Sequence, residues 1–259
     1  MIGIIGIGHI GETLLDGLLS LNDFDKQFSI YDVNKETIKK YEHLKKVKIY
    51  ENNEQVVRNS EIIFLCVKPS QFEELALELK QHMRGEQLIV SVAPDFSLAS
   101  LQQMFSHQKV MRMMPSTMML VKRGVIAVSK TVDVDETLTE KFQLLMQGMG
   151  YLFWTDERGI NQTIGVAGSG IAFAYQLIEA MGQGAIYNGL TAEDAYKMAA
   201  ETLIGAGEML LKTNEHPAKL RDNVCTPGGL TIQGVTKLAE LGFSHAVIEA
   251  VKATYQKEE

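Results

Sequence analysis

The chain is poor in several things, and each shortage narrows what it can be. It has two cysteines, Cys66 and Cys225, in 259 residues. That is too few for a disulfide framework, and they do not look like a metal site, so a reduced, cytoplasmic setting with no metal is expected. Asp and Glu outnumber Lys and Arg, 32 to 25, and the net charge is −7, which argues against nucleic acid or an anionic membrane surface as partner. No apolar run approaches bilayer-spanning length, and the strand-like run that begins at Ile2 fits no signal peptide. Cys/His pairs, carboxylate dyads and zinc spacings are missing too, so few side chains are candidates for unaided chemistry.

What remains is an ordinary globular composition, 46% hydrophobic and 22% charged, in a chain long enough for two domains. Strand-like runs at 2–6, 28–31, 46–50, 61–67, 87–92 and 108–112 alternate with helical periodicity at 10–20, 35–43, 53–59, 70–82 and 97–105. Further runs at 124–128 and 151–154 flank a helical pattern at 135–147. Such alternation predicts an α/β fold with a doubly wound, mainly parallel sheet of the Rossmann type over 1–160. From about residue 161 strand signals vanish. Helical patterns follow at 165–188, 192–212, 216–223, 230–241 and 244–256, giving an all-helical second domain over 161–259. Thr191 with Asp194 reads as a capping box, and Gly242 with Ser244 as a helix stop and a new N-cap. The helix from 165 is crowded with small residues, among them Gly168, Gly170, Gly182 and Gly184. Glycine weakens a helix by about 1 kcal/mol relative to alanine, so the pattern predicts close helix approach and packing against a second subunit.

Two stretches carry chemistry. Gly6-Ile7-Gly8-His9-Ile10-Gly11 follows an apolar run and opens a helical pattern on Leu14, Leu15, Leu18 and Leu19. The glycines of such a turn let a dinucleotide's pyrophosphate approach the backbone, and Asp32, at the end of the second strand-like run, can accept from ribose hydroxyls. The cofactor side is completed by Cys66, Val67, Lys68 and Pro69 after one strand and by Val92 and Ala93 after another, where ligands of such sheets bind. His9 reads as a phosphate neighbour or a surface residue, and His216 as a helix-capping or turn residue. The second stretch is Thr226-Pro227-Gly228-Gly229, leading through Leu230 and Thr231 into a helical pattern. Bare N–H groups at a helix start, with hydroxyls on either side, can hold a small carboxylate without an arginine. Pro-Gly-Gly before a helix is also a common tight turn. With a nicotinamide cofactor, NADPH or NADH, supplying the hard step, this loop is the candidate substrate end.

Taken in order, these segments resemble the pyrroline-5-carboxylate reductase family from end to end. The resemblance rests on the glycine turn at 6–11, on Val67-Lys68-Pro69, on Arg112 to Ser116, and on Gly168-Ser169-Gly170. Its most specific part is the block from His216-Pro217 through Leu220, Asp222, Asn223 and Val224 into Pro227-Gly228-Gly229 and Thr231. It implies hydride transfer from NAD(P)H to the imine carbon of 1-pyrroline-5-carboxylate, giving L-proline, by a homodimer or larger homo-oligomer with interleaved helical domains. It also implies a substrate carboxylate on the N–H groups around Thr226, Gly228 and Gly229, with Val224 beside it and Thr231 as the catalytic residue, bonded to the ring nitrogen. The chain departs from the family pattern at Pro94, Asp95, Ser116, Met118 and Ile171, mostly on the cofactor side.

Two other readings compete. A reductase for another cyclic imine or a β-hydroxyacid shares the two-domain plan, but the latter class uses a lysine on the long interdomain helix and 165–188 contains none. A nucleotide-binding regulatory paralogue would account for the altered cofactor side, yet it has less reason to keep the donor-rich 226–231 block. For the dinucleotide, Asp32 favours NADH by repelling a 2′-phosphate, while Asn34 and Lys35 could accommodate one; the choice stays open.

Overall fold

The computed structural model describes residues 1–21, 26–105 and 108–255, and it divides into two compact units, Met1–Thr163 and Ile164–Glu259. In the first unit, strands and helices alternate: β1 (Ile2–Ile5), α1 (His9–Leu19), β2 (Phe28–Tyr31), α2 (Lys35–Lys39), β3 (Val47–Ile49), α3 (Asn53–Arg58), β4 (Ile62–Leu65), α4 (Phe72–Leu79), β5 (Leu88–Ser91) and α5 (Leu98–Met104). β6 (Lys109–Met114), β7 (Gly124–Lys130), α6 (Glu136–Met146), β8 (Gly150–Trp154) and α7 (Glu157–Thr163) complete it. The sheet order is β3-β2-β1-β4-β5-β6-β7-β8, parallel throughout except for the antiparallel β6–β7 pair. β1 pairs with β2 on one side and β4 on the other, with Ile2 level with both Phe28 and Ile62. The strand order therefore reverses at β1, and a crevice is expected at the carboxyl ends of the strands there.

The sheet is covered on both faces, as its nearly continuous apolar strands require. One core takes Ile4, Phe64, Val90 and Met111 from the strands with Leu14, Leu15 and Leu18 of α1 and Phe142 of α6. The other takes Ile5, Ile63, Leu65, Ile89 and Val110, the alternate residues, with Val56 and Val57 of α3 and Phe72 and Leu79 of α4. Period-two alternation thus fills two cores at once.

Several boundaries differ from the sequence expectation for identifiable reasons. The first strand stops at Ile5 because Gly6 turns the chain at φ +88°. Pro69 forces a 3-10 turn, Pro69–Gln71, before α4 begins. The segment Thr117–Val121, between the sixth and seventh strands, is a 3-10 helix whose N-cap Ser116 accepts from the Met118 N–H at 3.3 Å.

The second unit is helical: α8 (Gly170–Tyr187), α9 (Ala192–Thr213), α10 (Pro217–Asn223), α11 (Leu230–Glu240) and α12 (Phe243–Ala253). The expected single helix from 165 instead begins with a π-helical turn, Ile164–Gly168, and α8 starts only at Gly170. Thr191 caps α9 by accepting from the Asp194 N–H at 3.2 Å. Gly242 in the left-handed region, rather than Ser244, precedes α12. The small residues do serve close approach within this unit, since a Cβ on Gly182 would lie 2.4 Å from the Tyr196 ring. Yet α10, α11 and α12 contain no buried residue, and Tyr187, Leu211 and Leu230 are largely exposed. One expectation needs correction. The stretch Glu157–Tyr187 is long and apolar enough, by length and composition, to cross a membrane, with an 18-residue window of mean hydropathy 1.3 that is only 11% buried. Its apolar side chains, among them Ile164, Val166, Ile171, Phe173, Leu177 and Ile178, are spaced out by glycines, alanines and a few polar residues, so no conspicuous run forms.

Candidate functional site

At the carboxyl ends of β1, β2 and β4 lies a cavity of about 470 Å³. It falls at the topological switch point that the strand order dictates. Gly6 closes β1 and donates its N–H to the Tyr31 carbonyl at 3.0 Å, so the ladder runs to the lip of the cavity. A side chain at Gly6 would meet the Cys66 backbone at 2.8 Å, and one at Gly11 would meet the Gly6 carbonyl oxygen at 2.0 Å. Gly8 is different: a Cβ there meets nothing within 4 Å. Gly8 is also the N-cap of α1 and no side chain caps that helix, leaving first-turn N–H groups facing outward. The bare cradle over Gly8 is what a pyrophosphate needs, so these residues fit a dinucleotide.

Asp32 is held by two backbone donors, the Ile7 N–H to Oδ2 at 2.6 Å and the Asn34 N–H to Oδ1 at 2.7 Å. Its carboxylate thus clasps the glycine turn to the end of β2. Of the cofactor-side residues read from the sequence, Gly6, Gly8, Asp32, Cys66, Val67 and Lys68 line the cavity together. Ile7 has its side chain in the core, 1% exposed, while Gly11 is buried against the turn and Ile10 half-buried behind it. His9 is the exposed first residue of α1, and Pro69 opens the 3-10 turn at the rim. Val92 and Ala93 follow β5 outside this cavity, Val92 packed on one core and Ala93 buried in the other. Burial pushes the Cys66 thiol up to about 12, so it stays protonated and serves as an apolar wall.

Sequence reasoning missed other residues that the fold brings in. Tyr31, Thr37, Asn53 and Gln71 also line the cavity, as do Glu74 and Glu78 of α4. Asn53 donates its side-chain amide to Glu78 at 3.0 Å, and its amide oxygen is buried without a hydrogen-bond partner. No spacing announces Asn53, because it reaches the site through sheet order. Arg112 had a signal, a cation inside an apolar strand run. It is 6% exposed, pairs with Glu157 at 3.3 Å and donates to the Pro94 carbonyl at 2.6 Å, pinning the loop after β5.

In the second unit, His216 is the N-cap of α10, its Nδ1 accepting from the Ala218 N–H at 3.2 Å. Thr226 to Gly229 forms a β-turn: Gly229 donates to the Thr226 carbonyl at 3.0 Å, with Pro227 second and Gly228 at φ +72° third. That is the type II pattern, which demands glycine at the third place. Gly229 is then the N-cap of α11, again with no side-chain cap. A Cβ on Gly229 would lie 2.3 Å from the Thr226 hydroxyl, which therefore sits against the start of α11. Thr226, Gly228 and Thr231 are exposed, as is Val224 before the turn. The loop is both a tight turn and an open helix N-terminus.

Comparison with known proteins finds matches in both units. Residues 157–259 match the family model described as pyrroline-5-carboxylate reductase dimerisation, and residues 1–95 match one described as NADP oxidoreductase coenzyme F420-dependent. The chain is 33% identical to the pyrroline-5-carboxylate reductase of Escherichia coli (strain K12), over 100% of this chain and 97% of that protein. It is 34% identical to pyrroline-5-carboxylate reductase 3 of Xenopus laevis, covering 97% of this chain and 92% of that one. The crystal structure of the Plasmodium falciparum pyrroline carboxylate reductase with NADP bound superposes with a TM-score of 0.86 at 25% identity, covering 98% of this chain and 94% of that one. The chain belongs to the pyrroline-5-carboxylate reductase family, NAD(P)H-dependent oxidoreductases that reduce the imine of 1-pyrroline-5-carboxylate to give proline.

Proposed function

We propose that the first unit holds the dinucleotide and that the 226–231 loop of the second holds the imino acid. When bound, the nicotinamide supplies the hydride. The protein's share is to bind and orient. The turn Gly6 to Gly11 takes the pyrophosphate on the α1 N-terminus, with His9 and Ile10 contributing N–H groups and Ile7, whose N–H is held by Asp32, fixing the turn. Asp32 takes ribose hydroxyls, the unpartnered Asn53 oxygen serves the same end, and Cys66 to Pro69 with Val92 and Ala93 form the wall toward the reacting ring.

The observation that carries the substrate half is the uncapped α11 N-terminus behind a type II turn. A carboxylate there receives N–H donors from Gly228 and the first turn of α11, plus the Thr226 hydroxyl beside Val224, while Gly229, whose own N–H closes the turn on the Thr226 carbonyl, leaves room for it. The helix dipole adds roughly 0.3–1 kcal/mol of stabilisation. Thr231, one residue inside α11, bonds the ring nitrogen as the catalytic residue. A cyclic imine protonates readily in water, so no strongly acidic side chain is required.

The protein acts in the cytoplasm, without nucleic acid or membrane, as a homodimer or larger homo-oligomer. The exposed apolar residues of α8 to α12 and the apolar stretch Glu157–Tyr187 support a second copy as their cover. The absence of lysine from α8 speaks against a β-hydroxyacid reductase. The test is Thr231→Ala beside Thr231→Ser. The alanine variant is expected to lose about tenfold or more in kcat/KM with an unchanged urea midpoint, and the serine variant to keep most activity. Full activity in Thr231→Ala removes Thr231 from the reaction. Dinucleotide binding with no turnover in the unaltered protein favours the regulatory reading.

A further inference from the structure

We infer that this reductase selects NADH over NADPH, and that Asp32 is the residue that selects. The inference rests on the cofactor reading above but not on the imine chemistry. The Asp32 carboxylate is fixed by the Ile7 N–H at 2.6 Å and the Asn34 N–H at 2.7 Å. Two backbone donors on separate oxygens keep it from swinging aside, while each oxygen retains a lone pair for a ribose hydroxyl. A 2′-phosphate at that ribose would bring about 1.5 to 2 negative charges against a carboxylate that cannot retreat.

The surroundings deepen the bias. The cavity is lined by the carboxylates of Asp32, Glu74 and Glu78 against the ammonium of Lys68. The lysines beside Asp32 are engaged elsewhere. Lys35 lies with its ammonium 4.3 Å over the Tyr31 ring, Lys39 pairs with Glu36, and Lys40 pairs with Glu12 and Asp16. A 2′-phosphate is usually met by arginine. No arginine precedes Arg58, and Arg58 bonds Glu54 at 2.7 Å.

Equilibrium binding of ADP-ribose and of its 2′-phosphorylated form to the full chain, by titration calorimetry, tests this without turnover. The unaltered protein is expected to bind ADP-ribose about tenfold or more tightly than the phosphorylated ligand. Asp32→Asn, which keeps one acceptor for the glycine turn, is expected to shrink that ratio about tenfold, chiefly by strengthening the phosphorylated ligand. Lys35→Ala is expected to leave the ratio unchanged. Equal or tighter binding of the phosphorylated ligand by the unaltered protein overturns the inference. So does a ratio that Asp32→Asn leaves in place while its urea midpoint shows it folded, or one that Lys35→Ala raises. Loss of binding for both ligands in the unaltered protein overturns the cofactor reading itself. A reversed ratio alone leaves that reading standing.

Discussion

Replacing Gly8 and Gly11 separately by alanine splits the glycine turn into a part that shapes the protein and a part that admits the ligand. At Gly11 the new methyl would sit 2.0 Å from the Gly6 carbonyl oxygen and 3.3 Å from the Cys66 Cβ. Backbone and helix must part by more than an ångström, against two covered strands. Overpacking of this kind costs about 1–3 kcal/mol or more, and with a urea slope of about 1–3 kcal/mol/M the midpoint falls by about 1 M. At Gly8 nothing lies within 4 Å, and φ −74°, ψ −167° suits alanine. Reduced freedom of the unfolded chain and a poorer N-cap roughly offset, to within about 0.5 kcal/mol. The methyl would instead fill the space where pyrophosphate meets the α1 N-terminus, so dinucleotide affinity falls about tenfold or more. Trp154, the only tryptophan of the chain and part of β8, reports unfolding of the first unit by fluorescence. Binding is measured by nicotinamide fluorescence. A Gly8→Ala variant that is destabilised yet binds normally, or a Gly11→Ala variant with an unmoved midpoint, refutes the assignment.

Phe142 is fully buried with its ring 6.3 Å from Phe64 and 5.9 Å from Trp154; Phe142→Ala should cost about 3–5 kcal/mol and red-shift tryptophan emission. Gly182→Ala puts a methyl 2.4 Å from the Tyr196 ring, so the strain of about 1–3 kcal/mol should exceed the helix-propensity gain of about 1 kcal/mol and lower the melting temperature. The Cys66 thiol is raised from 9.0 to about 12 by burial. Its contribution to stability is full below the unfolded-state value and is lost as pH climbs from there toward the folded one. The urea midpoint should therefore fall above about pH 9, and Cys66→Ser should flatten the onset of that decline. The Tyr41 phenol, raised from 10.0, adds its own loss only at higher pH.

Legibility of this fold in the sequence followed locality. β4 was plain because Ile62 to Leu65 must be apolar on both faces, and the α9 cap because Thr191 and Asp194 are three residues apart. The π-turn Ile164–Gly168 was hidden, since its glycines and alanines fit an uninterrupted helix equally well by periodicity. In the site, Gly6, Gly8 and Asp32 were visible because one turn and one strand end bring them together. Asn53 and Glu78 were not, because only the β1–β4 neighbourhood unites α3 and α4 with that turn. The dual nature of Thr226 to Gly229 was half visible: residue types specify the turn, but only the backbone reveals that α11 begins uncapped.

The most direct measurement is oxidation of NADH and of NADPH by the purified protein when 1-pyrroline-5-carboxylate is added, with proline quantified in the same samples. The account predicts imine-dependent dinucleotide oxidation with one proline formed per dinucleotide consumed, faster with NADH at limiting cofactor. Dinucleotide binding with neither oxidation nor proline would contradict it.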